Sequence, residues 1–209
     1  MPERLSALDG RYPVGRHPAG VEPGVLLREI VGWDLVQAAG WRGRTDALAV
    51  AIERTLGLAP PRDPSESRAA DGVEVLSVAP RRFWCIVPDG DPRPAQLRDA
   101  IEPETGCVTG LGHSHTRVRV EGPAARRLLA RDIAVDLDPA AFATGRIART
   151  ALHHVPVTLQ CIEAGGSGTF DLYLPRTLAP ATWEYLLELA RTYGHEILAT
   201  ARRDGRPAA

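Results

Sequence analysis

Apolar positions along this chain follow two different periods, one typical of helices and one typical of strands. The helical period predicts a helix that begins with Thr45 as its N-cap and ends at Gly57. It also predicts helices that open at Pro94 and Pro123, because proline fits the first helical position, and a last helix over 180–193. These helices alternate with strands along the chain.

Strands are predicted where apolar residues run together or alternate with polar ones. The predicted strands are 27–41, 73–78, 83–87, 107–120, 147–162, which is interrupted or bent at Pro156, and 170–174, which returns from a hairpin loop over 163–168. The order strand, helix, strand, strand, helix therefore occurs twice. It predicts an α+β fold of duplicated β-α-β-β-α halves, with helices packed on mixed sheets.

The chain is predicted to have three parts. Residues 1–27 contain glycine, proline and arginine but few apolar anchors, so we expect an extended N-terminal arm that is either disordered or laid along something else. Residues 28–194 are expected to form a single duplicated domain, with halves at about 28–104 and 105–194. Residues 195–209 are expected to be a polar C-terminal tail, which is frayed over 201–209.

The composition of the chain disfavours several classes of partner and of chemistry. The formal net charge of -1 favours neither nucleic acid nor an anionic membrane as a partner. All 25 basic residues are arginine, which is best explained by nucleotide bias in the coding DNA and which excludes chemistry that needs a lysine. Three cysteines without a CxxC motif argue against a disulfide framework or zinc ribbon and favour a reduced, cytoplasmic protein. The sequence contains neither a secretory signal nor an apolar run long enough for a membrane helix.

Histidines are the strongest candidates for a metal site. His113 and His115 would share one face of a strand and could ligate one metal ion, with His153 or His154 as a further ligand. The alternative, which we favour, is that these are polar residues on solvated strand edges or near a partner surface.

Other motifs have simpler structural explanations. Gly106, Gly110 and Gly112 precede a strand, whereas a dinucleotide fingerprint needs the order strand, glycine turn, helix. The glycine-rich stretch 165–168 is typical of a hairpin and lacks the pattern of a catalytic serine elbow. Cys85 lies between apolar residues and is expected to be buried and inert.

Two further segments were weighed as sites. Asp136 and Asp138 could be paired carboxylates, but Asp138 before Pro139 is more simply a turn former and Asp136 a local cap or an ion pair for an arginine. The segment Arg81-Arg82-Phe83-Trp84 could stack a pterin or a base, yet a turn with solvent-facing arginines is favoured. No nucleophile, base and orienting group converge in the sequence. We therefore expect no catalytic, no cofactor-binding and no metal-binding residues on this chain.

Several segments nevertheless share order and spacing with a known family. They are Gly122-Pro123-Ala124-Ala125-Arg126 with Leu129-Ala130, then Asp136-Leu137-Asp138-Pro139 with Phe142 and Gly145, Leu35-Val36-Gln37-Ala38 with Trp41, Ala79-Pro80-Arg81-Arg82-Phe83-Trp84, and Phe170-Asp171-Leu172-Tyr173-Leu174-Pro175-Arg176 followed by Trp183. Over about residues 5–194, the chain resembles the gamma subunit of heterotetrameric sarcosine oxidase. Gly110-Leu111-Gly112-His113 departs from the family's pattern of aspartate, leucine, serine and histidine, because glycine stands in place of the aspartate and of the serine.

The resemblance implies a duplicated fold similar to the folate-binding domain of glycine-cleavage aminomethyltransferase. It implies a complex that oxidatively demethylates sarcosine to glycine, with the methyl carbon passed to tetrahydrofolate and electrons passed through flavin to oxygen. FAD, FMN, NAD and the folate site are implied for the alpha and beta subunits, zinc for the delta subunit, and no catalytic residues for gamma. The alternatives are a free-standing folate-binding or aminomethyltransferase-like protein, and the same subunit in a complex for another N-methyl amine.

Within this resemblance, the segment 121–145 is expected to be structural. The helix from Pro123 would pack Leu128 and Leu129 inward and turn three arginines outward, which are Arg126, Arg127 and Arg131. The first 27 residues are expected to wrap a partner, which we take to be the alpha subunit.

Overall fold

Antiparallel strand pairs and four helices make up most of the computed structural model, which describes residues 6–9, 11–18, 20, 22–165 and 168–202. The strands are β1 (Gly15–His17), β2 (Val25–Val31), β3 (Trp33–Gly40), β4 (Ser67–Ala70), β5 (Val73–Ala79), β6 (Arg82–Pro88), β7 (Gly106–Gly110), β8 (His115–Glu121), β9 (Ile147–Leu152), β10 (Val155–Glu163), β11 (Thr169–Pro175), β12 (His195–Ile197) and β13 (Ala201–Arg202). The helices are α1 (Thr45–Leu56), α2 (Arg93–Ala100), α3 (Ala125–Leu129) and α4 (Ala179–Ala190), with single 3-10 turns at Arg176–Leu178 and Arg191–Tyr193.

The described residues divide into two compact units. The continuous unit is Gly32–Gly112, and the split unit is formed by the described residues before and after it. Among the described residues, no helix has the length and apolar character needed to cross a membrane.

The continuous unit is one five-stranded antiparallel sheet with two helices on one face. Its strand order is β4-β5-β6-β3-β7. Helix α1 forms because Leu48, Ile52 and Leu56 make one apolar stripe, and all three are buried against the sheet. Gly57 ends this helix in the left-handed conformation, at a φ of 73°, as predicted.

The split unit is an eight-stranded mixed sheet. Its order is β1-β12-β2-β8-β11-β10-β9, and β13 also pairs with β2. Strands β12 and β13 run parallel to β2, while the remaining neighbours are antiparallel. One face of this sheet carries the apolar core, in which α3 and α4 bury Leu128, Leu129, Trp183 and Leu186.

The predicted α+β class with duplicated halves is confirmed. The order β3-α1-β4-β5-β6-α2-β7 is matched by β8-α3-β9-β10-β11-α4-β12. The pairing matches as well, because β4-β5-β6-β3 in one sheet corresponds to β9-β10-β11-β8 in the other.

Three predicted strands were wrong because each one is two strands. The strand 27–41 breaks at Gly32, which has a φ of 74°, into β2 and β3 of different sheets. The strand 107–120 likewise separates into β7 and β8, and 147–162 folds back on itself as the β9–β10 hairpin. Pro156 lies within β10, one residue after its start, so it does not mark the break.

Helix starts and one strand were also mispredicted. The N-cap of α1 is Arg44 without a side-chain hydrogen bond, so Thr45 is the first helical residue instead of the cap. Helix α2 begins at Arg93, one residue before Pro94, and α3 begins at Ala125, two residues after Pro123. Strand β4 was missed because its polar sequence reads as part of a loop.

Where they are described, both ends of the chain pair with strands of the split unit. In the predicted arm, β1 pairs with β12 and Leu8 is buried in the core of the split unit. In the predicted tail, β12 and β13 pair with β2, because their backbone groups complete the edge of that sheet. Residues 203–209 lie outside the described part, and the compact units meet at 31/32 and 112/113.

Candidate functional site

A buried charge cluster lies on the sheet face of the split unit that faces away from its helices. Arg117 is 1% exposed and Asp171 is 0% exposed. Arg117 donates from Nε and Nη2 to Asp171 Oδ2 at 2.8 and 2.5 Å. Arg119 donates from Nε to Oδ1 at 2.8 Å and from Nη2 to Oδ2 at 2.9 Å. One carboxylate therefore binds two guanidinium groups.

Strand register brings this cluster together. Asp171 on β11 is the cross-strand partner of Arg119 on β8, and Arg117 lies two residues further along the same face. The Arg117 guanidinium also lies 5.2 Å from the ring centroid of Tyr173, whose hydroxyl donates to Gln160 Oε1 at 2.8 Å. The polar face thus extends across three neighbouring strands.

Asp171 stays ionised because of its two arginine neighbours. Burial by itself would raise the pKa of this carboxyl, but the charge of Arg117 and the hydrogen bonds and charge of Arg119 outweigh burial and lower the pKa below its ordinary value. Sequence reasoning missed the cluster, although the alternation of arginine and valine from Arg117 to Val120 was a signal.

The segment that follows Gly122, which resembles the known family, packs against the core of the split unit. Arg126 donates to the carbonyl oxygens of Leu137 and Ala164, the latter at 3.1 Å, and its guanidinium lies 4.9 Å from the Phe170 ring centroid. The prediction that Arg126 turns outward was therefore wrong, because it satisfies loop carbonyls. Arg127, by contrast, is exposed as predicted.

The exposed cavity of the split unit has a volume of about 360 Å³. Its walls come from the N-terminal segment, the end of α4 and β12, and the lining residues are Tyr12, Pro13, His17, Pro18, Leu187, Arg191, His195 and Ile197. His17 and His195 are cross-strand partners, and their rings stack with centroids 5.3 Å apart. The two histidines lie 178 positions apart in sequence, so no local pattern could have joined them.

The two cavity histidines carry buried atoms without a hydrogen-bond partner. Among the described residues, His17 Nε2 and His195 Nδ1 are such atoms. His195 is 6% exposed. Burial lowers the pKa of His195 below its ordinary value, and the neighbouring His17 and Arg191 lower it further.

The four histidines that could form a metal site do not share a strand face. His113 lies in the turn before β8, and only His115 belongs to the strand, where its Nδ1 is 2.6 Å from Ser114 Oγ. His153 and His154 form the turn between β9 and β10, and the His153 ring stacks on Tyr185. Within the described ranges, no three histidine, cysteine or acidic residues are grouped as a metal site would require.

The remaining candidates take structural positions. Asp136 and Asp138 each accept a backbone hydrogen bond two residues on, from Asp138 and Ala140, as turn formers do. Cys85 is fully buried, and burial raises its pKa to about 12, so the reactive thiolate is disfavoured.

The turn at Arg81 and the glycine segments also agree with their structural explanations. Arg81 has a φ of 62° in the turn between β5 and β6, and Arg82 is exposed while Phe83 and Trp84 are buried. Gly106 and Gly110 bound β7, and β11 returns from the 163–168 hairpin loop. Two positions of that loop, 166 and 167, lie outside the described residues.

The family model and the similar proteins that match this chain all belong to one family. Residues 42–191 match the model of the sarcosine oxidase, gamma subunit family. The sarcosine oxidase subunit gamma of Arthrobacter sp. is 33% identical over 135 residues, which are 65% of this chain and 66% of the relative. That of Corynebacterium sp. (strain P-1) is 32% identical over 141 residues, with the same coverages. The matched part thus spans about two thirds of these relatives' length.

Solved structures share the fold. A chain of heterotetrameric sarcosine oxidase from Corynebacterium sp. U-96, in complex with pyrrole 2-carboxylate, superposes with a TM-score of 0.74 at 23% identity, covering 83% of this chain and 87% of that chain. Glycine cleavage system aminomethyltransferase T from Bartonella henselae superposes with a TM-score of 0.59 at 17% identity, covering 85% of this chain and 48% of that chain. With the family model matching most of its length, this chain belongs to the sarcosine oxidase gamma subunit family.

Proposed function

We propose that this chain is a non-catalytic assembly subunit of a heterotetrameric sarcosine oxidase, with alpha, beta and delta subunits as its partners. The complex would oxidatively demethylate sarcosine to glycine and pass the methyl carbon to tetrahydrofolate. The observation that carries the proposal is the family match over residues 42–191.

The contacts of the chain's potentially reactive side chains support a structural role. Asp171 is bound by two arginines, and the Cys85 thiol is held protonated by burial. Asp136 and Asp138 are turn formers. Because these groups are committed to contacts within the fold, we propose that the chain contributes no catalytic, cofactor-binding or metal-binding residue to the reaction. FAD, FMN, NAD and tetrahydrofolate would be bound by other subunits, and the complex would be cytoplasmic.

The N-terminal segment is proposed to present a surface to a partner, which we take to be the alpha subunit. Its described residues hold to the split unit through β1, through Leu8 and through Tyr12, whose ring lies 5.6 Å from that of Trp183. Val14 on the same segment is 64% exposed, and Leu178 of the same unit is a second exposed large apolar residue. Apolar side chains of this kind become buried when a protein partner covers them.

Reconstitution tests the proposal. Alpha, beta and delta subunits from the same genome would be purified with and without this chain, and sarcosine-dependent hydrogen peroxide production would be measured. We expect activity only with the chain present and none from the chain alone. Equal activity without the chain, or sarcosine oxidation by the chain alone, would contradict the proposal. A panel of other N-methyl amines in the same assay tests whether the complex acts on another substrate.

A free-standing folate-binding protein is the second candidate, favoured by the fold shared with aminomethyltransferase T. It predicts saturable binding of tetrahydrofolate by the full chain in isothermal titration calorimetry. We expect no heat of binding from the chain alone. Saturable binding together with failure to join the other subunits would replace the assembly role.

A further inference from the structure

Strand β7 forms one edge of the five-stranded sheet in the continuous unit. On one side it pairs antiparallel with β3, with Gly106 opposite Gly40 and Gly110 opposite Val36. Within the described ranges, no strand pairs with its other side. The outer side of β7 is therefore an edge from which backbone donors and acceptors face away from the sheet.

The two ends of the β3–β7 ladder fix its hydrogen-bond pattern. Leu111 donates its N–H to the carbonyl oxygen of Leu35 at 2.8 Å, and Trp41 donates to that of Thr105 at 3.0 Å. Hydrogen-bonded pairs alternate with non-hydrogen-bonded pairs along an antiparallel ladder. Both ends require the same pattern, in which the odd-numbered residues of β7 bond to β3 and the even-numbered residues face the other way.

The even-numbered residues of β7 are Gly106, Val108 and Gly110. Gly106 donates its outward N–H to the carbonyl oxygen of Glu102 at 3.2 Å, which agrees with this pattern. Gly110 is exposed, and Val108 is half-buried because its side chain packs against the core of the continuous unit. The N–H and C=O groups of Val108 and Gly110 are thus the outward hydrogen-bonding groups of this edge.

Strand β7 lacks the features that usually protect a strand edge. Its sequence, Gly-Cys-Val-Thr-Gly, contains no charged residue and no proline, and its register with β3 is continuous, without a bulge. The strands at the other three ends of the two sheets each contain an arginine, namely Arg16 in β1, Arg68 in β4 and Arg149 in β9. Among these edges, β7 is therefore the one best suited to pairing with a further strand.

The split unit shows what kind of segment covers the same position. There β2 lies beside β8 as β7 lies beside β3, and both pairs are antiparallel. The other side of β2 pairs with β12 and β13, which are short extended segments near the end of the chain. Outward backbone groups of a strand are satisfied by another extended backbone, whatever its side chains. An extended segment is therefore the occupant that fits the edge of β7.

Trp41 offers a side-chain contact at one end of this edge. It is 48% exposed, and its indole N–H donates to the carbonyl oxygen of Pro103 at 2.6 Å, which fixes the ring near the residues that precede β7. Tryptophan is enriched among the residues that contribute most to protein interfaces. Cys107 and Thr109 are exposed and small, so they leave room for the side chains of a neighbouring strand.

We propose that the outer edge of β7 pairs with an extended segment of another subunit of the complex, which adds a further strand to this sheet. The inference rests on the proposed assembly function. A partner subunit is favoured over a second copy of this chain because the proposed complex contains one copy of each subunit. Val108 and Gly110 would exchange backbone hydrogen bonds with the added strand, and Trp41 would pack against its side chains.

Hydrogen exchange at single amides tests the added strand. The free chain and its complex with alpha, beta and delta subunits would be placed in heavy water and analysed by fragmentation mass spectrometry. We expect the N–H groups of Val108 and Gly110 to exchange at least about tenfold more slowly in the complex. Those of Cys107 and Thr109 already bond to β3 and should be slow in both samples.

The outcomes separate this inference from the assembly function. Unchanged exchange at Val108 and Gly110 in an assembled complex would overturn the edge pairing alone. Slow exchange of these two amides in the free chain that increases with protein concentration would assign the edge to a second copy and overturn the partner subunit. A chain that stays outside the complex would overturn the assembly function and this inference with it.

A matched pair of variants at Gly110 tests the same edge. Gly110→Pro removes the outward N–H, and proline is tolerated where a strand N–H faces away from the sheet. Gly110→Ala keeps the N–H, and its Cβ would lie 4.0 Å from the nearest listed neighbour, Arg98 Nη2, so it should fit without strain. We expect Gly110→Pro to bind the other subunits at least about tenfold more weakly and Gly110→Ala to bind like the natural chain. Equal binding of a folded Gly110→Pro chain would overturn the proposal, and if this variant does not fold, amide exchange of the natural chain decides.

Discussion

The two units build the same strand pattern but make their second sheet faces from different chemistry. In the continuous unit, the face of β3 and β6 opposite the helices carries the buried apolar residues Trp33, Leu35 and Ile86. In the split unit, the corresponding face of β8 and β11 carries Arg117 and Asp171. Both faces are buried, but the apolar side chains need no partner, whereas the charged side chains must be paired.

The two faces should differ in how well they tolerate substitutions. An apolar face is stabilised by the area removed from water and accepts changes of shape at modest cost. A buried ion cluster gains stability only when every charge keeps its partner, and losing one partner leaves an uncompensated charge. We infer that the register of β8 and β11 is fixed by charge, whereas that of β3 and β6 is fixed by alternation of apolar side chains.

Placing a carboxylate in the apolar core of the split unit should have the largest effect. Leu129 is fully buried in the core of the split unit, so Leu129→Asp is expected to cost more than about 4 kcal/mol of unfolding free energy and to prevent assembly. Soluble yield and thermal unfolding measure this. Ala130→Asp, at the exposed next position, is the control and should remain folded. Normal folding of the Leu129 variant would contradict the packing of α3.

Removing the charge at the centre of the cluster should have the next largest effect. Asp171→Asn leaves two arginines without their carboxylate and is expected to lower the unfolding free energy by about 3–5 kcal/mol. Urea denaturation gives the value. Glu163→Gln removes an exposed carboxylate from β10 and should change stability by less than about 0.5 kcal/mol. Equal effects of the two variants would show that the cluster does not matter for stability.

Acid should reveal the same cluster without mutation. The pKa of Asp171 is lowered in the folded chain, so its stabilising effect is complete above the unfolded pKa of about 4 and is lost as the pH falls toward the folded value. Urea midpoints from pH 6 to pH 3 should fall for the natural chain and fall less for Asp171→Asn. Parallel curves for the two proteins would remove Asp171 from the acid response.

A trimmed side chain on the apolar face should have the smallest effect. Ile86→Val in the continuous unit removes one methylene from a fully buried position and is expected to cost about 0.5–1.5 kcal/mol. A loss as large as that of Asp171→Asn would mean that the apolar face is as intolerant as the charged one.

Sequence patterns predicted the fold where a signal is local. Helix α1 and its end at Gly57 follow from apolar spacing and a left-handed glycine, and both agree with the structure. The predicted strand ends were wrong where the chain passes from one sheet to another through a short turn, as at Gly32. The apolar run continues across this turn, so the sequence shows no break. Strands β12 and β13 have no local signal for a related reason, since they form by pairing with β2 and, for β12, also with β1.

The candidate sites depended still more on distant pairing. Arg117 and Asp171 lie 54 positions apart and meet through strand register, and His17 and His195 meet only because β1 pairs with β12. The histidines singled out as ligands were the ones close in sequence, yet His113 lies in a turn outside the strand that holds His115. Nearness along the chain was a poor guide to nearness in space.

The proposed role requires this chain to bind the other subunits in one complex. Native mass spectrometry of the chain co-expressed with alpha, beta and delta subunits measures whether that complex forms. We predict a single species whose mass equals one copy of each subunit, with the chain lost from it in the Leu129→Asp variant and kept in Ala130→Asp. A complex of the other three subunits that forms while this chain remains free would contradict the claim.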